Sequence, residues 1–198
     1  MYPHIAQVFM DGGYVRELSK EHPGALPDPY SLAKGLVESS QVQTWAYDPS
    51  RHPNAFLSRI TYYDALPNES ATPEEKARIE EYWRTIEKLN DVHLGFGELR
   101  GLKRKVRQKG VDTLIAVDMV AGAYSQLFDI AVLVAGDADF VPVVEEVKRR
   151  GVMVAIAGRS NSTSSELMAA ADRFIEILPQ AQWLVAMRDK AGQTWPVV

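Results

Sequence analysis

The sequence predicts an α/β domain built on a central, mainly parallel sheet, and three observations carry the prediction. Short apolar runs alternate along the chain with segments of helical period. One run, Ile130-Ala131-Val132-Leu133-Val134-Ala135, is apolar at every position, as a parallel strand covered on both faces requires. Strands that alternate with helices join through right-handed crossovers into a doubly wound sheet.

Taken in order, Ala6-Gln7-Val8-Phe9-Met10 reads as a strand stopped by Asp11-Gly12-Gly13, with a helix from Tyr14 to Glu21. Asp28-Pro29 supplies an N-cap and a first-turn proline for a helix to about Glu38. Arg59 to Ala65, rich in β-branched and aromatic residues, is the second strand. Thr72-Pro73-Glu74-Glu75 opens a helix to Asn90, with Ile79, Tyr82, Trp83, Ile86 and Leu89 on one face. Val92 to Glu98 is a weaker strand because two glycines interrupt it.

Asp112 opens a helix that is apolar over much of its circumference through Tyr124, which predicts extensive burial. After the Ile130–Ala135 strand, Asp137 to Phe140 turns into a helix carrying Val141, Val144 and Val147, closed by Lys148-Arg149-Arg150-Gly151. Val152 to Ala157, a helix from Ser164 to Ala171 and a strand from Phe174 to Leu178 complete the alternation. Residues 1–178 make one domain, and 179–198 make a C-terminal extension. Its Trp183, Leu184, Val185 and Trp195 predict packing on the domain or on a partner, a second copy of the chain included.

Composition narrows the chemistry. The 198 residues contain no cysteine, which removes thiolate nucleophiles, disulfides and Cys-ligated metals. His4, His22, His52 and His93 form no H-x-x-x-H pair, so a histidine zinc site has no local support. No apolar run is long enough to cross a bilayer and the N-terminus lacks signal-peptide features, so a soluble cytoplasmic protein is expected. The net charge of −4 is unevenly spread, with Arg100, Lys103, Arg104, Lys105, Arg107 and Lys109 in one short stretch.

Ligands of open parallel sheets bind outside the carboxyl ends of the strands, where the strand order reverses. Asp11 and Asp137 each follow a predicted strand with glycine adjacent, and Asp139 lies two residues further on. Singly, each reads as a turn or capping residue. Together, carboxylates in one crevice repel one another, an arrangement usually sustained by a cation or by catalysis. Magnesium suits such a site.

Asp112 stands at a helix start, where an N-cap role would need no further explanation, and that helix leads into the strand before Asp137. Asp118, six positions on, lies off its face and is read as a supporting residue behind the ligands or as a structural polar residue. The basic stretch is by default a solvated face, and beside Asp112 it also suits the phosphates of a single strand, with Arg51 and Arg59 extending the surface.

These residues resemble a known family, the bacterial NYN domains of the LabA-like group, related to PIN-domain nucleases. Val132-Leu133-Val134-Ala135-Gly136-Asp137-Ala138-Asp139-Phe140 is similar to the family's strand followed by S-G-D-x-D-F, with Ala135 in place of serine. Lys109-Gly110-Val111-Asp112 resembles its K-G-V-D motif, and Phe9-Met10-Asp11-Gly12-Gly13 its opening F-I-D-G. Tyr62-Tyr63-Asp64 and Ala171-Asp172-Arg173-Phe174-Ile175 also resemble family segments.

The resemblance implies a PIN-like, Rossmannoid three-layer α/β/α sandwich and Mg2+- or Mn2+-dependent cleavage of RNA phosphodiesters, with single-stranded RNA the expected substrate. Asp11, Asp112 and Asp137 would bind metal, and Asp139 would assist. Many relatives carry asparagine where this chain has Tyr14, which implies altered ligation there.

Rival readings are weaker. A non-catalytic RNA-binding or regulatory domain would keep the motifs without turnover. A Toprim-like phosphotransferase wants glutamate where Asp11 stands. Gly95-Phe96-Gly97-Glu98-Leu99-Arg100-Gly101 has the wrong spacing for a dinucleotide fingerprint, and G-x-S-x-G is absent.

Overall fold

The sequence enters the sheet at once: strand β1 (His4–Asp11) runs directly into helix α1 (Gly12–Leu18). The structure, a computed structural model, describes residues 3–18, 28–44, 55–65, 72–89, 91–96 and 110–178. The basic stretch from Arg100 to Lys109, Arg51 and the 179–198 extension lie outside them.

Helix α2 (Pro29–Glu38) begins where its cap predicts, with the Asp28 carboxylate accepting the Tyr30 N–H at 3.0 Å. A single turn, α3 (Ser40–Gln43), follows. Strand β2 (Ala55–Asp64) starts before the expected Arg59, because its first residues, Ala55 and Phe56, pair with His4 and Ile5 of β1. Helix α4 (Pro73–Ile86) stops short of Asn90, and β3 (Val92–Phe96) follows.

The second half matches the predicted alternation closely. It comprises α5 (Val111–Tyr124), β4 (Ile130–Val134), a 3-10 turn (Ala138–Phe140), α6 (Val141–Arg149), β5 (Met153–Gly158), α7 (Ser165–Ala170) and β6 (Arg173–Glu176). Gly151 ends the α6 segment at φ 81°, a conformation that side chains rarely adopt.

All six strands pair in parallel, in the order β3-β2-β1-β4-β5-β6. Because alternate side chains point to opposite faces, the sheet builds two cores. Val8, Met10, Tyr62, Val132 and Ala155 pack under α1, α2 and α4. Phe9, Tyr63, Leu133, Val154 and Ile156 pack under α5, α6 and α7. The result is a three-layer sandwich with a fully buried β4 at its centre. Among the described residues, no helix is long and apolar enough to cross a membrane.

Helix α5 departs from its expected burial. Val111, Ile115, Met119, Gly122 and Ala123 are covered, whereas Val117 is 56% exposed and Tyr124 52%. An outer-layer helix meets the sheet on one side only, so apolar composition does not by itself produce burial. Tyr124 is anchored at the surface by a 2.7 Å hydrogen bond to Glu146 Oε1 and by the Arg150 guanidinium, 4.3 Å from its ring centroid.

At the carboxyl end of β2 lies a buried charge. Asp64 is 2% exposed and pairs with Arg16 of α1. Its Oδ2 also accepts from Trp83 Nε1 at 2.9 Å, and its Oδ1 from the Ala65 N–H at 2.8 Å. One carboxylate thereby ties α1, β2 and α4 together. Removing one partner of a buried pair strands the other, so Asp64→Ala should cost about 3 kcal/mol in urea unfolding; a loss under about 1 kcal/mol would show that the network contributes little.

Candidate functional site

The winding of the chain reverses between β1 and β4, which are direct neighbours. That reversal opens a crevice beyond the carboxyl ends of the two strands. Asp11 is the last residue of β1 and is half-buried. Its Oδ1 accepts from the Gly13 N–H at 2.8 Å and the Tyr14 N–H at 3.3 Å, capping α1. Backbone must pass close by: a Cβ on Gly12 would lie 2.7 Å from both Tyr62 Cε1 and the Tyr63 carbonyl oxygen.

Across the crevice, Asp137 follows β4 and caps the 3-10 turn, its Oδ1 accepting from the Asp139 N–H at 3.0 Å. Both side chains are exposed. Asp112 sits in the first turn of α5, and the N-cap position belongs to Gly110. Capping therefore does not account for Asp112, contrary to its plainest sequence reading.

The carboxylates act on one another. Burial pushes the Asp11 carboxyl up to about 6, against the Tyr14 and Gly13 N–H groups and the Arg16 charge, while the charge of Asp112 pushes it further. Asp112 is itself raised, first by burial and then by the charges of Asp137 and Asp139. Asp112 thus links Asp11 on one side of the crevice to Asp137 and Asp139 on the other.

Asp118 stands apart from this group. It is exposed and accepts from the Tyr63 hydroxyl at 2.8 Å, a phenol raised first by burial and then by the Asp118 charge. Arg59 lies exposed mid-way along β2, away from the strand's carboxyl end, and the basic stretch whose surface it was expected to extend lies outside the described residues.

Carboxylate oxygens are the donors that magnesium and manganese prefer. By donor type Asp11, Asp112, Asp137 and Asp139 fit such an ion, although no three acidic or histidine side chains among the described residues already form an ion-holding group.

Tyr14 is not directed at the acids. Its side chain is buried, and its hydroxyl accepts from the Arg159 N–H at 3.0 Å and lies 2.7 Å from Thr163 Oγ1 and 3.1 Å from Ser162 Oγ. The site also includes Arg16, whose charge bears on Asp11 while Asp64 holds it. Sequence reasoning assigned Arg16 no role. The available signal was Tyr62-Tyr63-Asp64, an acid closing a strand next to β1 that calls for a counter-charge.

The NYN domain family model matches residues 6–178. A crystal structure of a Vibrio parahaemolyticus protein of unknown function superposes with a TM-score of 0.58 at 21% identity, covering 89% of this chain and 94% of that one. At that identity the likeness speaks for the fold alone. No curated protein shows significant similarity. With the family pattern spanning both halves of the sheet and all four edge aspartates, the chain belongs to the NYN domain family.

Proposed function

We propose that the chain is a metal-dependent ribonuclease of the LabA-like group that cleaves phosphodiester bonds of single-stranded RNA at the Asp11, Asp112, Asp137 and Asp139 crevice. NYN domains are generally nucleases that act on RNA. The observation that carries the reading is the delivery of Asp11 by β1, Asp112 by the start of α5 and Asp137 and Asp139 by the turn after β4 to the edge where the winding reverses. There, burial and then the charges of Asp137 and Asp139 raise the Asp112 carboxyl. Such crowding is unfavourable without a cation and becomes useful with one.

Asp11, Asp112 and Asp137 would hold Mg2+ or Mn2+, with Asp139 assisting. When bound, the ion supplies acidification of water and neutralisation of charge on a phosphoryl group. The chain's own contribution is placement. Asp11 is fixed by the two N–H groups it accepts, and Asp137 by the 3-10 turn it caps. Arg16 holds a positive charge beside Asp11. No side-chain nucleophile is required, and the basic stretch from Arg100 to Lys109 would carry the flanking RNA.

One observation favours the rival, a non-catalytic RNA-binding domain: the acids do not stand as a formed ion-holding group. Labelled single-stranded and structured RNAs incubated with Mn2+, Mg2+ or EDTA separate the two. The nuclease reading expects metal-dependent cleavage that falls at least about 100-fold in Asp112→Asn and Asp137→Asn, since disturbing outer-shell partners alone costs 10–100-fold. Metal and RNA binding without any cleavage would establish the rival.

The raised carboxyl of Asp11 gives a second prediction. Its folded value lies above its ordinary value of 3.8, so folding disfavours the ionised form. The metal-free protein should therefore lose stability as pH rises from about 4 to about 6 and stay lower above that. Asp11→Asn keeps the capping oxygen and sheds the charge. At pH 7 and without metal it should be more stable than wild type, on the order of 1–2 kcal/mol after allowance for solvent screening. Mn2+ should raise the melting temperature of wild type but not of the variant; a variant less stable than wild type under metal-free conditions would refute the argument.

A further inference from the structure

Tyr14 reaches across the crevice beneath the acids. It begins in α1, where its own N–H is donated to Asp11. Its ring then lies against Gly136, the residue immediately before Asp137: a Cβ there would fall 2.5 Å from Tyr14 Cε2 and 2.5 Å from the Ser162 carbonyl oxygen. Its hydroxyl continues over Gly158 at the end of β5, where a Cβ would collide with it.

Two glycines have therefore given up side chains to make room for one tyrosine. The hydroxyl ends in a polar socket formed by the Arg159 N–H, the buried Thr163 hydroxyl and the hydroxyl of exposed Ser162. That socket is itself tied back, because the Ser164 N–H donates to the Gly136 carbonyl at 2.8 Å. Gly136 is consequently held between the ring on one side and the 162–164 segment on the other.

From this arrangement we infer that Tyr14 is a positioning residue, a strut that sets where Asp137 stands relative to Asp11 across the β1/β4 crevice. The two acids belong to different strands, and Asp137 follows a loop that its own turn does not anchor to β1. Tyr14 supplies the anchor: its backbone touches Asp11, its ring bears on the residue before Asp137, and its hydroxyl fixes the loop behind both. The conclusion also gives position 14 a purpose other than ligation. It rests on the metal-site reading above only for its second readout.

The test compares metal-free crystal structures of wild type, Tyr14→Phe and Thr163→Val, together with Mn2+ affinity by isothermal titration. Tyr14→Phe keeps the ring and empties the socket; Thr163→Val keeps the tyrosine and removes its shortest hydroxyl partner. Tyr14→Phe should shift the Asp137 carboxylate relative to Asp11 by more than about 0.5 Å, the tolerance within which functional groups must be held. Mn2+ affinity should fall about tenfold or more. Thr163→Val should produce the same changes in smaller measure, and it decides the matter if Tyr14→Phe does not fold.

Lower stability with Asp137 unmoved would assign Tyr14 to packing alone and overturn the inference. If wild type itself binds no Mn2+, the metal reading fails, and the position of Asp137 in the metal-free variants still decides the role of Tyr14.

Discussion

The parallel pairing of β1 with β4 is the constraint on which the rest of the molecule depends. The two halves of the sheet meet there, and the reversal of winding leaves the carboxyl ends of both strands uncovered by any crossover. Every aspartate of the candidate site is delivered to that opening by the element that precedes or follows one of these strands. Asp11 ends β1, Asp137 follows β4, and Asp112 opens the helix that leads into β4. A different strand order would scatter them.

Gathering like charges at a half-buried edge opposes folding, and the surrounding structure offsets it. Two apolar layers enclose β4 completely, and the N–H groups of Gly13 and Tyr14 stabilise the ionised form of Asp11. Next to it, Arg16 and Asp64 form a neutralised pair that joins three elements. Arg16 is shared with Asp64, and among the described residues the charges that bear on Asp112 are those of Asp137 and Asp139, which distinguishes these acids from an ordinary structural ion pair. Repulsion that the fold leaves uncompensated is what a cation would relieve.

Local and functional explanations of these aspartates do not exclude each other. Asp11 and Asp137 both cap short helical turns, as residues beside glycine often do. Capping orients each carboxylate by one oxygen, and orientation is what a metal or phosphate site requires. Asp112 differs from them, since Gly110 takes the capping position and the acid stands inside the first turn of α5, where its charge suits the helix N-terminus without capping it.

Much of this was legible in the chain itself. Continuous apolar strands, alternating helices and the acids at strand ends predicted the layers and the edge on which Asp11 and Asp137 stand, because these features depend on period and on neighbours in sequence. Three things required the folded molecule. The length of β2 came from pairing with β1, the exposed side of α5 from its outer position, and the separation of Asp118 from the other acids from its bond to Tyr63. Tyr14 shows the difference most clearly. In the sequence it is a departure from a motif beside an acid; in the fold it is a buried ring packed against Gly136, after β4, and Gly158, at the end of β5, both far along the chain. Periodicity determines which face a residue occupies, whereas only tertiary packing decides what it meets there.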